Sequence, residues 1–356
     1  MTGSAFSQAR YKIKHELFRD LNDELLPFYH QSERQLWKGH ALIAGDGSTL
    51  NLPSSKSVKE EFGVYSTTQA GTPTYLARVL FLYDVLGNYV LNGQISSNKQ
   101  GEITLLKKAL QSQIPDGSII ILDRGFGYMS TVLELAEKGL DFAVRFSTES
   151  SFAQNILASG LDDQIVTWKP TKYEQKKAKE RGQILKPLTV RATRIWLKSG
   201  EAELVISSLK DMEKYSHSEI SELYHYRWPV EEGFKNLKPK MKIEQFGARK
   251  PEGILQEFYA HLFLMNLIAL FGQVADRHIK EKVKHRKYEY KYNWQNAYRT
   301  VRHKLNQLLK AIELTATVKW IINAIGKFTV AIVPERSFIR EPRSLKKSRK
   351  VNAYYK

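Results

Sequence analysis

Residues 224–238 read Tyr-His-Tyr-Arg-Trp-Pro-Val-Glu-Glu-Gly-Phe-Lys-Asn-Leu-Lys, and several of these groups could act on a phosphate or a metal ion. On a helix of roughly 100° per residue, Tyr224, Arg227, Glu231 and Lys238 share one narrow face. Leu223, Tyr226, Val230, Phe234 and Leu237 follow the spacing of a core-facing stripe on a different face. A carboxylate with a cation one turn before it and another two turns after it suits metal or substrate chemistry. A surface ion pair between Arg227 and Glu231 at i,i+4 accounts for the same spacing. Pro229 removes an interior helix hydrogen bond, so a kink or irregular turn is expected just before Glu231.

Two more carboxylates stand at informative places. Ala41-Leu42-Ile43-Ala44 leads into Gly45-Asp46-Gly47-Ser48, a short apolar strand carrying one carboxylate between glycines. Asp-Gly is also a strong turn signal, and on this segment alone a hairpin turn is the better account of Asp46. Residues 118–122, Ser-Ile-Ile-Ile-Leu, form the continuous apolar run of a strand buried on both faces, and Asp123 follows it.

The elements that must position these groups are legible in order. Strands are expected over 74–85 and 89–95, joined by Leu86-Gly87-Asn88, then a helix over 102–113, the strand ending at Asp123, a helix over 130–138 and a strand over 142–146. That order predicts an α/β fold with a mixed sheet flanked by helices, and catalytic groups in such sheets gather at the carboxyl ends of strands. The chain divides into a helical N-terminal segment (1–38), a first part of the core (39–147), a mostly β insertion (148–212), a second part of the core with the Glu231 helix (213–276) and a basic C-terminal helical region and tail (277–356). Within the insertion, strands are expected over 164–168, 188–197 and 202–208, with a charged segment over 169–186. A single helix is expected over 218–238, and a buried one over 254–275.

Composition narrows the partners. The net charge is +18, and residues 235–356 hold 27 Lys+Arg against 9 Asp+Glu, whereas the first 234 residues are balanced at 28 of each. An asymmetry of that kind points to a polyanion, nucleic acid before a membrane surface. Tyr288, Tyr290, Tyr292 and Trp294 follow a basic run and could stack on exposed bases. Arg336, Arg340 and Arg343 lie in a tail poor in apolar residues and are candidate DNA contacts. With no cysteine there are no disulfides and no thiolate metal sites. Residues 1–10 carry no apolar leader-like region, and the apolar stretch 258–271 is too short to span a bilayer, so a cytoplasmic protein without a membrane partner is expected.

The spacing Tyr224-x2-Arg227-x3-Glu231-x6-Lys238, with Gly45-Asp46-Gly47-Ser48 and Leu122-Asp123-Arg124-Gly125 ahead of it, resembles the signature of one large group of bacterial insertion-sequence transposases. These are cut-and-paste enzymes with a DDE triad on a ribonuclease H-like fold. Arg336-Ser337-Phe338 before a basic tail resembles that group's ending. The resemblance implies a ribonuclease H-like mixed sheet, with Asp46, Asp123 and Glu231 as catalytic residues that bind two Mg²⁺ ions, with Mn²⁺ able to substitute. It implies that Tyr224, Arg227 and Lys238 contact phosphates of the element-end DNA. It further implies metal-dependent cleavage at element ends, strand transfer of the 3′ hydroxyl into target DNA, a homodimer on double-stranded DNA, and association with the nucleoid when bound. A metal-dependent nuclease on the same fold without strand transfer, or a DNA-binding protein derived from a transposase, are the alternatives. One position departs: where members of the group place a tryptophan at the start of the last insertion strand, this chain has Glu203 or Leu204, with Trp168 and Trp196 nearby in sequence.

Overall fold

The computed structural model describes residues 2–333 except 68–70, 181, 183, 198–199 and 311–312, so Arg336, Arg340 and Arg343 lie outside the described residues. The chain opens with helices α1 (Gly3–Arg10) and α2 (Glu16–Gln31). Strand β1 (Leu42–Asn51) is followed by α3 (Lys56–Phe62), a small ribbon of β2 (Ser66–Thr67) and β3 (Pro73–Thr74), and the long hairpin of β4 (Leu76–Asp84) and β5 (Tyr89–Ser97). Next come α4 (Glu102–Ala109), β6 (Ile119–Leu122), α5 (Met129–Glu137) and β7 (Asp141–Phe146). The stretch 148–212 contributes α6 (Ser151–Ala158), β8 (Asp163–Trp168), α7 (Lys172–Glu180), β9 (Leu188–Trp196) and β10 (Ala202–Ser207). The chain then forms α8 (His217–His225), α9 (Pro229–Lys235), α10 (Pro251–Val283), β11 (Glu289–Tyr292), α11 (Trp294–Leu309), α12 (Leu314–Ile325) and β12 (Thr329–Ile332).

Eight strands make one sheet in the order β5-β4-β1-β6-β7-β10-β9-β8. β4 and β5 run antiparallel to their neighbours, β1, β6 and β7 run parallel, and β10, β9 and β8 continue antiparallel. The five strands from β5 to β7 have the mixed order of a ribonuclease H-like sheet, and the three later strands lengthen the same sheet beyond β7. Because side chains alternate across a strand, β1 feeds two cores. Leu42, Ala44 and Leu50 pack toward α8, α9 and α10, while Ala41 and Ile43 pack on the opposite side toward α4 and α5.

The N-terminal helical stretch is broken, not continuous. His15 turns to meet the start of α10, donating its backbone N–H to Glu252 Oε1 at 2.6 Å with its ring Nδ1 2.9 Å from Oε2. α10 is longer than the apolar stretch suggested and passes the length and composition test for a membrane span. Half of that apolar window is buried inside the fold, where Phe258, Leu262, Met265 and Ile268 fill the core, so the helix reads as a central core element. The aromatic run after it also turns inward. Tyr292 is buried and cannot stack on a base, while Tyr290 and Trp294 are half-buried against the same core, with Trp294 stacked on Tyr298.

One buried cation ties the insertion to the segment leading into α8. Arg191 on β9 is fully buried; it pairs with Asp163 on β8 and donates from Nη1 to Tyr215 O at 2.6 Å and Leu209 O at 3.2 Å. Removing it would strand a carboxylate and two carbonyls inside the protein. Arg191→Leu should lower the unfolding free energy in urea by about 3–5 kcal/mol; a loss under about 1 kcal/mol would show that the pair is not holding this junction.

Candidate active site

Asp46 and Asp123 are brought side by side by strand register. In the parallel pair, Gly45 lies opposite Leu122, so the next residue along each chain is a carboxylate, on neighbours about 4.8 Å apart. Asp46 sits inside the ten-residue β1, paired with Phe81 of β4, which corrects the hairpin-turn reading of Asp46-Gly47. The flanking glycine serves close approach: a Cβ on Gly45 would lie 2.5 Å from Leu122 Cδ2. Each carboxylate is held by one oxygen. Asp46 Oδ1 accepts Gly47 N–H at 2.9 Å, and Asp123 Oδ1 accepts Gly125 N–H at 2.8 Å at the start of a short 3₁₀ turn.

The single helix expected over 218–238 is replaced by three pieces. α8 starts at a capping box formed by Ser216 and Glu219 and ends at His225; a turn follows, and Pro229 opens α9 as its first residue, where a missing N–H costs nothing. The irregular turn expected at Pro229 is therefore present. Beyond α9 the backbone widens over residues 236–240, with Met241 N–H reaching back five residues to Asn236 O at 2.9 Å. Pro239, which has no N–H to give, sits in that wide turn. The apolar stripe holds across the breaks, with Leu223, Val230, Phe234 and Leu237 buried and Tyr226 packed against them.

Breaking the helix separates the four polar groups onto different pieces, so the one-face picture is replaced by convergence from a helix end, a turn, a helix start and a wide turn. Glu231 lies in the first turn of α9, which packs on β1 and β4. Gly233 permits that approach, since a Cβ there would meet the Tyr83 ring at 3.1 Å. Arg227 in the turn is 7% exposed; its Nη2 lies 3.9 Å from Glu231 Oε1, and its guanidinium lies 4.6 Å from the centre of the Trp228 ring, which is itself exposed. Tyr224, at the end of α8, is buried. Lys238 Nζ donates to Ser48 Oγ at 2.7 Å, placing it two residues along β1 from Asp46 on the same face.

Electrostatics join these groups into one site. The Asp46 carboxyl is pushed up to about 6, first by burial and then by the charges of Asp123 and Glu231; Arg227 and the Gly47 N–H pull the other way. Burial also pushes the Tyr224 hydroxyl up to about 12, with Arg145 and Arg227 opposing. Asp46, Asp123, Glu231 and Arg227 are thus brought together, with Tyr224 reaching the group beside Asp123, and Lys238 at its margin.

Arg145 on β7 is a member that the sequence reading passed over. It pairs with Glu203 on β10 and interacts with both Tyr224 and Asp123. Its signal was available, since it is the one charge within the apolar run 142–146 of β7, Phe-Ala-Val-Arg-Phe. Glu203 occupies the departing position, and its partner Arg145 gives it a role there; Leu204 beside it is buried. Trp168 is buried against Phe146 and Phe152, while Trp196 lies exposed beside Arg194. Arg124, Arg145, Ser147, Thr148 and Glu203 line a polar cleft of about 460 Å³. Tyr224 Oη, Arg145 Nε and Arg227 Nε are all buried and lack a hydrogen-bond partner among the described residues. Three unspent donors around a pair of aspartates fit an anionic ligand such as a phosphate.

The donor set also fits a hard divalent cation, because each aspartate keeps an oxygen that the backbone does not use and Glu231 faces them. The three acids do not close to within 4.8 Å of one another as a single shared ion would favour. Among the described residues only His15, Glu16 and Glu252 do so, and there Glu252 is already engaged by the N–H and ring of His15.

Since Asp46 binds its proton more tightly when folded, its contribution to stability is full below about pH 4 and is lost as pH rises through about 6. Asp46→Asn removes that charge and should raise the metal-free unfolding free energy by on the order of 2 kcal/mol near pH 8, with no gain near pH 3.5. Urea melts at the two pH values check it; equal effects at both would show that the carboxylate is not under this strain.

Residues 37–267 match the family described as the transposase DDE domain, a span that contains Asp46, Asp123 and Glu231. Among curated proteins, the chain is 23% identical over 271 residues to transposase InsG for insertion sequence element IS4 of Escherichia coli (strain K12), covering 74% of this chain and 60% of that protein's length. Among solved structures it aligns with a piggyBac transposase synaptic complex with hairpin DNA, with a TM-score of 0.45 and 14% identity, covering 80% of this chain and 57% of that one. With well over half of its length matched, and with the acids of the site inside the matched span, the chain belongs to the family of transposases with a DDE domain.

Proposed function

We propose that the protein is a DNA transposase that cleaves at the ends of an insertion sequence and transfers the freed 3′ hydroxyl into target DNA. The observation that carries this reading is the coupled set of Asp46, Asp123 and Glu231 beside three buried, unspent donors. In this reading the three acids hold two Mg²⁺ ions, or Mn²⁺ in their place. When bound, such ions activate the attacking oxygen and neutralise charge at the scissile phosphate.

The chain's own residues do the positioning. Arg145, Arg227 and Tyr224 hold non-bridging phosphate oxygens; Tyr224 keeps its proton at neutral pH and therefore donates. Lys238, steadied by Ser48, meets a neighbouring phosphate of the same strand. In the first step water attacks phosphorus and the bond to the 3′ oxygen breaks, leaving a 3′ hydroxyl. In the second that hydroxyl attacks a target phosphodiester and displaces another 3′ oxygen. Bringing two element ends together calls for a homodimer on double-stranded DNA, and the basic tail with Arg336, Arg340 and Arg343 adds phosphate contacts.

Matched inverted repeats in the DNA flanking the reading frame would supply the substrate. On such DNA with Mg²⁺, Asp123→Ala should abolish cleavage and leave end binding largely intact; undiminished cleavage would overturn the assignment. Recombinant joints in a strand-transfer assay distinguish a transposase from a nuclease. Ending the chain after Val333 should make binding less steeply dependent on salt, and an unchanged dependence would remove the tail arginines from the interface.

A further inference from the structure

Helix α11 has an unusual surface. Its sixteen residues, Trp-Gln-Asn-Ala-Tyr-Arg-Thr-Val-Arg-His-Lys-Leu-Asn-Gln-Leu-Leu, contain no acid. Ala297, Tyr298 and Val301 face the core, while Arg299, Arg302 and His303 project from the other side at the i, i+3, i+4 spacing and are exposed. Neither arginine has an ion-pair partner among the described residues. Lys304, by contrast, is spent on the Trp320 ring of α12, 4.6 Å from its centre.

This face begins beside the wide turn that carries Lys238. Lys240, in the wide turn that follows α9, lies 5.3 Å from the centre of the ring of Trp294, the first residue of α11. Lys240 also donates to Asn236 Oδ1 at 2.7 Å, and Lys235 pairs with Glu232, while Lys291 on β11 is exposed and acts on Lys240. Farther along α11, Arg302 acts on His261 of α10. The same turn therefore carries Lys238 to Ser48 beside the site and meets α11 at Trp294.

We infer that the outer face of α11, which the wide turn reaches where Lys240 meets Trp294, is a track for the phosphates of duplex DNA lying outside the cleaved bond. The inference rests on the reading of the protein as a DNA transposase but concerns binding alone. Flexible cations that contact only phosphates read no sequence, so the track serves element-end and target duplex alike.

The test uses the full chain without divalent metal, so that no cleavage occurs, and follows binding by fluorescence anisotropy across a salt series. One probe is a short duplex of arbitrary sequence; the other, of equal length, carries the inverted repeat from the flanking DNA. The double variant R299Q/R302Q should lower the slope of log affinity against log salt by about 2 with both probes. R299K/R302K should restore the slope, because it keeps the charges. K176Q/K179Q on α7 removes the same charge from the opposite face of the sheet, beside α4 and α5, and should leave the slope as in wild type. An unchanged slope for R299Q/R302Q, an equal fall in the α7 control, or a fall confined to the repeat-bearing duplex would each overturn the track. A protein that binds in this way but never cleaves would instead count against the transposase reading and leave the track standing.

Discussion

Burying a carboxylate is costly, and the Asp46 carboxyl is perturbed first by its burial inside β1 and then by the neighbouring acids. Much of the molecule around β1 can be understood as tolerating that cost. The register of β1 against β6 makes the encounter unavoidable, since Gly45 and Leu122 are partners and an aspartate follows each. Backbone N–H groups anchor one oxygen of each acid, and Arg227 offsets part of the charge on Asp46. Glu231 then adds a third negative group. A fold gains no stability by gathering these acids, and perturbed carboxylates grouped in this way mark a candidate functional site.

The broken helix is the second half of the same construction. One straight helix from Ser218 to Lys238 would leave Pro239 to follow a regular turn and would hold Arg227 and Glu231 as ordinary surface neighbours. Starting a new helix at Pro229 lets α9 take its own angle against the sheet, with Gly233 against Tyr83, and puts Glu231 in a first turn where a carboxylate is favoured by the helix dipole. The wide turn beyond absorbs Pro239 and carries Lys238 back to Ser48 on β1.

Much of this was legible from sequence because it depends on local pattern. The buried strand before Asp123, the β4–β5 hairpin and the insertion strands all announce themselves by alternation or by apolar runs between turn residues. Asp46 was not legible from its own segment, because Asp-Gly suits a turn and only pairing with β4 and β6 shows it inside a strand. The helical spacing over 224–238 grouped residues that do converge, but on the wrong scaffold: periodicity survives a helix break when the apolar stripe continues, so it cannot report the break. The tyrosines after α10 misled for a different reason. A basic neighbourhood suggested rings for bases, whereas β11 packs on α10 and takes Tyr292 into the core, a tertiary contact with no local signature.

Buried arginines show how the same residue type divides between scaffold and chemistry. Arg191 spends Nε, Nη1 and Nη2 on Asp163 and on two carbonyls, and every donor group is matched within the fold. Arg145 and Arg227 each keep a buried Nε without a partner. That property alone does not mark a site, since Arg78 and Arg194 share it. What separates them is convergence: Arg145 and Arg227 both act on Tyr224, whose own hydroxyl is unspent, and they flank Asp123 and Asp46 respectively. An orphaned donor costs free energy wherever it is buried, and three of them beside the same acids leave that cost uncompensated by the described residues. Under the proposed function a phosphodiester would supply the negative oxygens these donors lack, with cations between its charge and the acids.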